Sequence, residues 1–350
     1  MKRLKSVKFF TLALSVSLVF FSCSDDDNAT PIVVPSGEEP SNSELYTSNN
    51  SDGNIMIYNV TDLDNVSSKS LLTTSLAADG IYYDSSTDMA VQASRSNLGL
   101  EGFLDISLND SGISIDIDVS GSADMESPRE VAVNGNFYVV ADNADADGNP
   151  LTADGRLYIY EKSGTSFTLR NTITTDIKLW GITFKGNDLY AVVDTTGDLA
   201  VYTNFLTNDA DVSLSASKRI TIEGIVRTHG ITYDASSDTM ILTDIGDAGN
   251  TDDDDGGFQV ITAFTSKFNA TSNGGTLSAS EQVRVSGSST MLGNPVDVAY
   301  QASTGTVFIA EAGNGGGRIL AYNNIGTGGN ITPTLNNQLA AASSVYLYTE

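Results

Sequence analysis

The chain has 350 residues, with 18 basic side chains against 44 acidic ones and a formal net charge of -26. Such a charge repels nucleic acid and bare anionic membrane, whose binders carry basic surfaces, and favours cations and basic partners. One cysteine excludes an internal disulfide, and one histidine beside it leaves too few nitrogen and sulfur ligands for a zinc site.

In chain order, Met1-Lys2-Arg3-Leu4-Lys5-Ser6-Val7-Lys8 is basic, residues 9–21 are apolar, and Ser22-Cys23 follows. A basic start, a hydrophobic stretch too short to span a bilayer and a small residue before a cut predict a cleaved signal. The segment resembles a bacterial lipoprotein signal, with Val19-Phe20-Phe21-Ser22-Cys23 in place of the usual Leu-x-small-Cys. Ser24-Asp25-Asp26-Asp27 resembles the surface-export signal of Bacteroidetes lipoproteins. That resemblance implies removal of residues 1–22, lipidation of Cys23 (palmitate) and display from an outer membrane, exposed at the cell surface. Cleavage would take four basic residues and no acidic one, so the mature net charge would be -30. Residues 23–44, rich in Asp, Asn, Pro, Ser and Glu without periodicity, predict a flexible acidic tether.

From residue 45 to 350 one apolar strand recurs. It reads Gly80-Ile81-Tyr82-Tyr83-Asp84, Glu130-Val131-Ala132-Val133-Asn134, Gly181-Ile182-Thr183-Phe184-Lys185, Gly230-Ile231-Thr232-Tyr233-Asp234 and Asp297-Val298-Ala299-Tyr300-Gln301, at intervals of 50, 51, 49 and 67. A short polar turn follows each copy, then a second strand (89–93, 137–141, 189–193, 240–243, 307–310). A third strand and a weaker fourth complete each unit, the fourth placed for example at 166–173. No stretch shows the helical period of a crossover. Four strands per roughly 50 residues, radially repeated, predict an all-β propeller. Residues 45–49 and 54–58 match second and third strands whose first strand is missing. Ser344-Val345-Tyr346-Leu347-Tyr348 supplies one. Six blades result, with ring closure between N- and C-terminal strands.

The repeat resembles the NHL propellers, whose pattern is roughly Pro-x-Gly-Ile-Ala, then Val-Tyr-Val-Ala-Asp, then Arg-Ile. Pro128-Arg129-Glu130-Val131-Ala132, Tyr138-Val139-Val140-Ala141-Asp142 and Arg156-Leu157 follow it, with Glu130 in place of Gly. Asn294-Pro295-Val296-Asp297-Val298-Ala299, Val307-Phe308-Ile309-Ala310-Glu311 and Arg318-Ile319 follow it too. The resemblance implies the architecture, on which both binding platforms and enzymes are built.

Strand order places the starts of the inner strands and the loops after the second strands on one face. Loops 94–102, 142–156, 244–257 and 311–317 are expected to be long there. The face collects Asp142, Asp194, Asp244 and Glu311, and also Asp79, Arg129, Trp180 and His229. Trp180, His229 and Arg129 are candidate ligand-binding residues, Trp180 as a stacking surface and His229 as a hydrogen-bonding or acid–base group. The competing expectation is that Trp180 packs between blades and His229 satisfies a backbone group. In the family pattern the acidic residue braces its own loop, and Arg156 and Arg318 are the expected partners. Asp194 and Asp244 lack an equivalent Arg and are expected to be freer.

Asn143, Asp145, Asp147 and Asn149 place oxygens at alternate positions around Gly148, with Asp154 at the twelfth position; hard cations take such oxygens, so calcium is the expected cofactor. Asp252 and Asp254, in a run of four carboxylates, form a second candidate metal loop. The two loops leave nonadjacent blades, 3 and 5. Two functions remain open at this stage. One is a surface lipoprotein whose loop-rich acidic face binds a protein or glycan, with docking to an outer-membrane complex. The alternative is a calcium-dependent lactonase or esterase with Asp194, Asp244 and His229, joined by Glu130 or Asp297, at the channel mouth.

Overall fold

Short apolar strands joined by polar turns satisfy their backbone groups only by pairing with one another. In the computed structural model, which describes residues 42–247 and 254–350, they do so as six four-stranded antiparallel blades. Cys23, the signal, the tether up to residue 41 and Asp252 lie outside the described residues.

Blade 1 joins the two ends of the chain. Its inner strand is Ala342–Thr349, and Ser43–Asn49, Ile55–Asn59 and Ser67–Leu72 follow outward. Leu45 pairs with Leu347 and Thr47 with Val345, which closes the ring and leaves no open inner edge. The inner strands of blades 2 to 6 are Ala78–Asp84, Pro128–Asn134, Leu179–Lys185, Ile231–Asp234 and Pro295–Gln301. Each returns through a tight turn. In blades 3 and 4 that turn is two residues long and opens on Gly135 or Gly186, both at positive φ, which a two-residue hairpin favours.

Six hydrophobic clusters hold the described residues together, one between each pair of neighbouring blades. The strands are therefore buried on both faces, which is why the inner and second strands read as continuous apolar runs rather than alternations. Two features differ from the sequence reading. A short helix, Phe264–Ala270, stands between the third and fourth strands of blade 5. Phe264 and Phe268, one turn apart, fill the cluster shared with blade 4 and meet Tyr190 edge-on. This insertion belongs to the long interval of 67. The loop expected over 94–102 is only a four-residue connector, because strands Met89–Ser94 and Gly99–Phe103 consume its ends.

Glycine at the start of the inner strands is a packing requirement. The Gly181 amide bonds the His229 carbonyl across to the next blade, at 2.9 Å. A Cβ on Gly181 would overlap that oxygen, and a Cβ on Gly80 or Gly230 would lie 2.6 Å from the Val131 nitrogen or the Asp297 Cα. The inner strands thus approach too closely for side chains at half of the six equivalent positions. The other half carry Glu130, Asp297 and Ser344.

Candidate functional site

Two successive rings of six equivalent residues build the channel mouth. The outer ring is Asp79, Arg129, Trp180, His229, Val296 and Ser343; the inner ring, one residue further along each strand, is Gly80, Glu130, Gly181, Gly230, Asp297 and Ser344.

The inner ring forms a plug. Glu130 and Asp297 come from blades 3 and 6, opposite each other, into the space that the glycines leave. Both are buried. Asp297 accepts from Ser344 Oγ at 2.7 Å and from the Val345 and Val298 amides at 2.8 Å each. Glu130 accepts from its neighbour's amide, Val131, at 2.9 Å. Burial, then the nearby Asp297 charge, pushes Glu130 well above the usual carboxylate range. Burial pushes Asp297 up to about 7 against three hydrogen bonds that pull it down. Burial without a cation beside them disfavours the charged form of both carboxyls. Below the plug a cavity of about 430 Å³ opens toward the tight-turn face, lined by inner-strand residues such as Tyr82, Phe184, Tyr233 and Tyr346.

The outer ring is a cation and aromatic stack. Trp180 lies between Arg129 of the preceding blade and His229 of the following one. The Arg129 guanidinium sits 4.2 Å from the indole centroid and the His229 ring stacks at 3.6 Å and 4°. This corrects the expectation of a stacking platform: the indole faces are taken by the protein's own side chains, and its half-buried edge lines the mouth.

His229 is 3 % exposed and its Nε2 lies 3.2 Å from Asp194 Oδ1. A carboxylate only accepts, so Nε2 carries the hydrogen and Nδ1 is unprotonated, buried and without a partner. Burial lowers the His229 pKa despite Asp194, so the ring is neutral near pH 7. Asp194 Oδ1 also takes Arg227 Nε at 2.7 Å and the Thr195 amide at 2.7 Å. Burial alone would raise Asp194, but the donors His229 and Arg227 hold it down to about 2. Asp79 accepts from Asn50 at 2.6 Å and Arg129 at 3.3 Å, with Arg95 at 3.6 Å.

The four matched acidic residues do not make an acidic face. Asp142, Asp194, Asp244 and Glu311 are all buried. Asp142 takes the amides of Glu126, Ser127 and Ala144; Asp244 takes those of Val226, Arg227 and Gly246; Glu311 takes those of Gly293, Asn294, Gly313 and Asn314. Each ties its own loop to the segment entering the inner strand. The expected arginine partners are also exchanged. Arg156 pairs with Glu126 and Arg318 bonds Asn314 and Asn336. Asp194 and Asp244, expected to be freer, hold Arg227 and Arg284. No three of Asp194, Asp244, His229, Glu130 and Asp297 converge as a metal site.

Among the described residues, three carboxylates do converge, those of Asp145, Asp147 and Asp154, within 4.8 Å of one another. Their loop is already cross-braced: Asp145 accepts from the Asp147 and Gly148 amides, Asp147 from Asn149, and buried Asp154 from Ala146. Asn149 turns to Thr152, and Asn143 faces the mouth instead. Asp254 is exposed on the other loop.

Between loop 143–154 and the outer ring lies a pocket of about 620 Å³, lined by Arg129, Lys178, Trp180, Asp194 and Arg227 beside Asn143, Pro150, Leu151, Thr152, Ala153 and Thr195. A smaller one of about 160 Å³ adjoins it over Asp79, Arg95 and Arg129. Sequence reasoning missed Arg95, Lys178 and Arg227. The available signal was their place: Lys178 and Arg227 each stand two residues before an outer-ring residue, where the chain enters a blade.

No protein-family model and no curated protein matches the chain. Solved structures do resemble it. A chain of the nidogen/laminin complex is 12 % identical, with 87 % of this chain and 98 % of that one covered and a TM-score of 0.57. A protein given the name of a 6-phosphogluconolactonase, from Bacteroides uniformis ATCC 8492, is 9 % identical, covers 89 % of this chain and 100 % of its own, and scores 0.58. One of the same name from Bacteroides fragilis NCTC 9343 is 9 % identical, at 88 % and 98 % coverage and a score of 0.55. At such identities the similarity shows the fold alone: this chain is a β-propeller.

Proposed function

We propose that this chain is a lipid-anchored, surface-exposed binding protein whose loop-rich propeller face takes a protein or glycan ligand at the channel mouth. The observation that carries this is the open pocket of about 620 Å³, a size that fits a ligand, whose polar walls are held in ion pairs and stacks. Held side chains recognise well. They are poorly arranged for proton transfer, since the one nitrogen of His229 able to act as a base is buried without access. A propeller chain of similar fold in the nidogen/laminin complex is compatible with a protein ligand. Docking onto an outer-membrane complex and calcium in loop 143–154 belong to the same proposal; the calcium part rests on the convergence of Asp145, Asp147 and Asp154.

The anchor is tested by Cys23→Ala, which should move folded protein from the membrane to the soluble fraction; a variant still in the membrane would overturn it. Binding is tested against catalysis by offering the full chain a panel of lactones and aryl esters with calcium. No turnover is expected, and turnover lost in His229→Gln would establish the hydrolase alternative instead.

A further inference from the structure

The whole chain is strongly acidic, yet the mouth is not. Four of its cations, Arg95, Arg129, Lys178 and Arg227, line the two adjoining mouth pockets, whose lining holds only two carboxylates, Asp79 and Asp194. Asp79 is shared between Arg95 and Arg129, and Asp194 is committed to Arg227, His229 and a backbone amide. The Lys178 ammonium has no hydrogen-bond or ion-pair partner among the described residues, and Arg129 Nε is buried without one. The carboxylates of loop 143–154 turn onto their own amides and do not line the pocket. A surplus of two cations in a partly desolvated cleft is an anion site, because charge-assisted hydrogen bonds gain strength as water leaves.

The remaining wall distinguishes among anions. Thr152, Thr195 and Asn143 offer neutral donors and acceptors, and Pro150 and Leu151 offer an apolar strip, with Leu151 92 % exposed at the loop tip. Hydroxyl partners, an apolar strip for C–H faces and a cationic end together match an acidic sugar. We propose that the mouth binds the carboxylate of an acidic saccharide, with Arg129 and Lys178 on the carboxylate and Thr152, Thr195 and Asn143 on the hydroxyls. This rests on the binding function proposed above and narrows its ligand class.

Trp180 is the only tryptophan in the chain and sits at this site, so its fluorescence reports occupancy directly. The full chain is titrated with trigalacturonate, with the neutral galactose trimer and with a pentaglutamate peptide, at low and high salt. A saturable response to trigalacturonate is expected, weakened about tenfold or more in Arg129→Gln and in Lys178→Gln, the loss of one charge-assisted contact each. Lys178→Gln removes no observed contact and keeps the test valid if Arg129→Gln misfolds. Lys185→Gln, on the opposite face, should bind normally. An equal response to the neutral trimer would overturn the anion assignment while leaving a glycan-binding mouth. A response to pentaglutamate as strong as to trigalacturonate would overturn the saccharide assignment. Silence toward all three probes would overturn the inference while leaving the mouth to a protein ligand.

Discussion

Glu130→Gln should flatten the dependence of stability on pH. In the native protein Glu130 and Asp297 are buried together, and the pair keeps a proton that its unfolded counterparts release near pH 4. A carboxyl whose folded pKa is raised contributes stability that is complete below the unfolded pKa and is lost as pH rises through the folded one. For one proton the slope is about 1.4 kcal/mol per pH unit. Asp297 is raised from 3.8 to about 7. Between pH 5 and pH 7 the wild type should therefore lose roughly 3 kcal/mol on this account. Gln keeps the shape with no proton to hold, so the variant removes the Glu130 contribution, while Asp297, raised by burial, keeps its own in both proteins. Buried neutral His229 works in the opposite sense, gaining stability as pH rises through the unfolded value of 6.5, but it does so in both proteins and cancels in the difference. Asp194, held at about 2, is ionised throughout this window. Urea unfolding at pH 5, 6, 7 and 8 measures the difference. Glu130→Gln should gain on the wild type by about 1.4 kcal/mol per unit as pH rises above the unfolded glutamate value of about 4.3. Parallel profiles for the two proteins would refute the raised Glu130.

Asp244→Ala should cost about 3 kcal/mol or more in urea unfolding, because it leaves three backbone amides without their buried acceptor, while Arg284 keeps Ser286 and the Gly224 carbonyl. Gly181→Ala should cost about 1–3 kcal/mol by forcing the Trp180 and His229 strands apart, and should shift the Trp180 emission with it. On the proposal that loop 143–154 holds calcium, millimolar calcium should raise Tm, and Asp145→Asn with Asp147→Asn should remove that rise. A wild-type Tm indifferent to calcium would refute the site.

The blades were legible because each obeys a local rule repeated in register. An Ile or Val early in an inner strand, a polar turn and a second apolar run recur whatever the loops do, and the unpaired segment at 45–49 demands the partner that Ala342–Thr349 provides. The helix Phe264–Ala270 was not legible by period, since one turn carries only a single Phe264/Phe268 pair and no repeat to average over. The site was half legible. Trp180, His229 and Arg129 fall where strand order placed them. What they touch depends on the pairing of blades 3, 4 and 5 around the channel, so the stack that covers the indole could not be read from any one unit. The loop-bracing role expected of the acidic residues holds for Asp142, Asp244 and Glu311, while the freedom expected of Asp194 and Asp244 does not, since they hold Arg227 and Arg284. A count of carboxylates carries charge but not direction, and Asp142, Asp244 and Glu311 spend theirs on buried amides.

The same breaks in the repeat explain why the mouth is a pocket. Were all six inner-ring positions glycine, the channel would run through the disc and a ligand could thread it. Glu130, Asp297 and Ser344 occupy the gap instead, and Ser344 Oγ accepts from the Ile81 amide while donating to Asp297. Blades 1, 2 and 6 are thereby tied at the axis, where the chain closes on itself. The plug sets a floor between the lower cavity of about 430 Å³ and the mouth above it. A ligand meets the outer ring from one side only, and it meets cations, because the carboxyls beneath them keep a proton. Glu130→Gln preserves that floor without the proton, so it should leave trigalacturonate binding unchanged at pH 5. At a pH high enough to ionise Glu130 as well as Asp297, the wild-type plug carries one charge more beneath the mouth and the variant should bind more tightly than the wild type. Equal affinities at both pH values would separate the plug from the site.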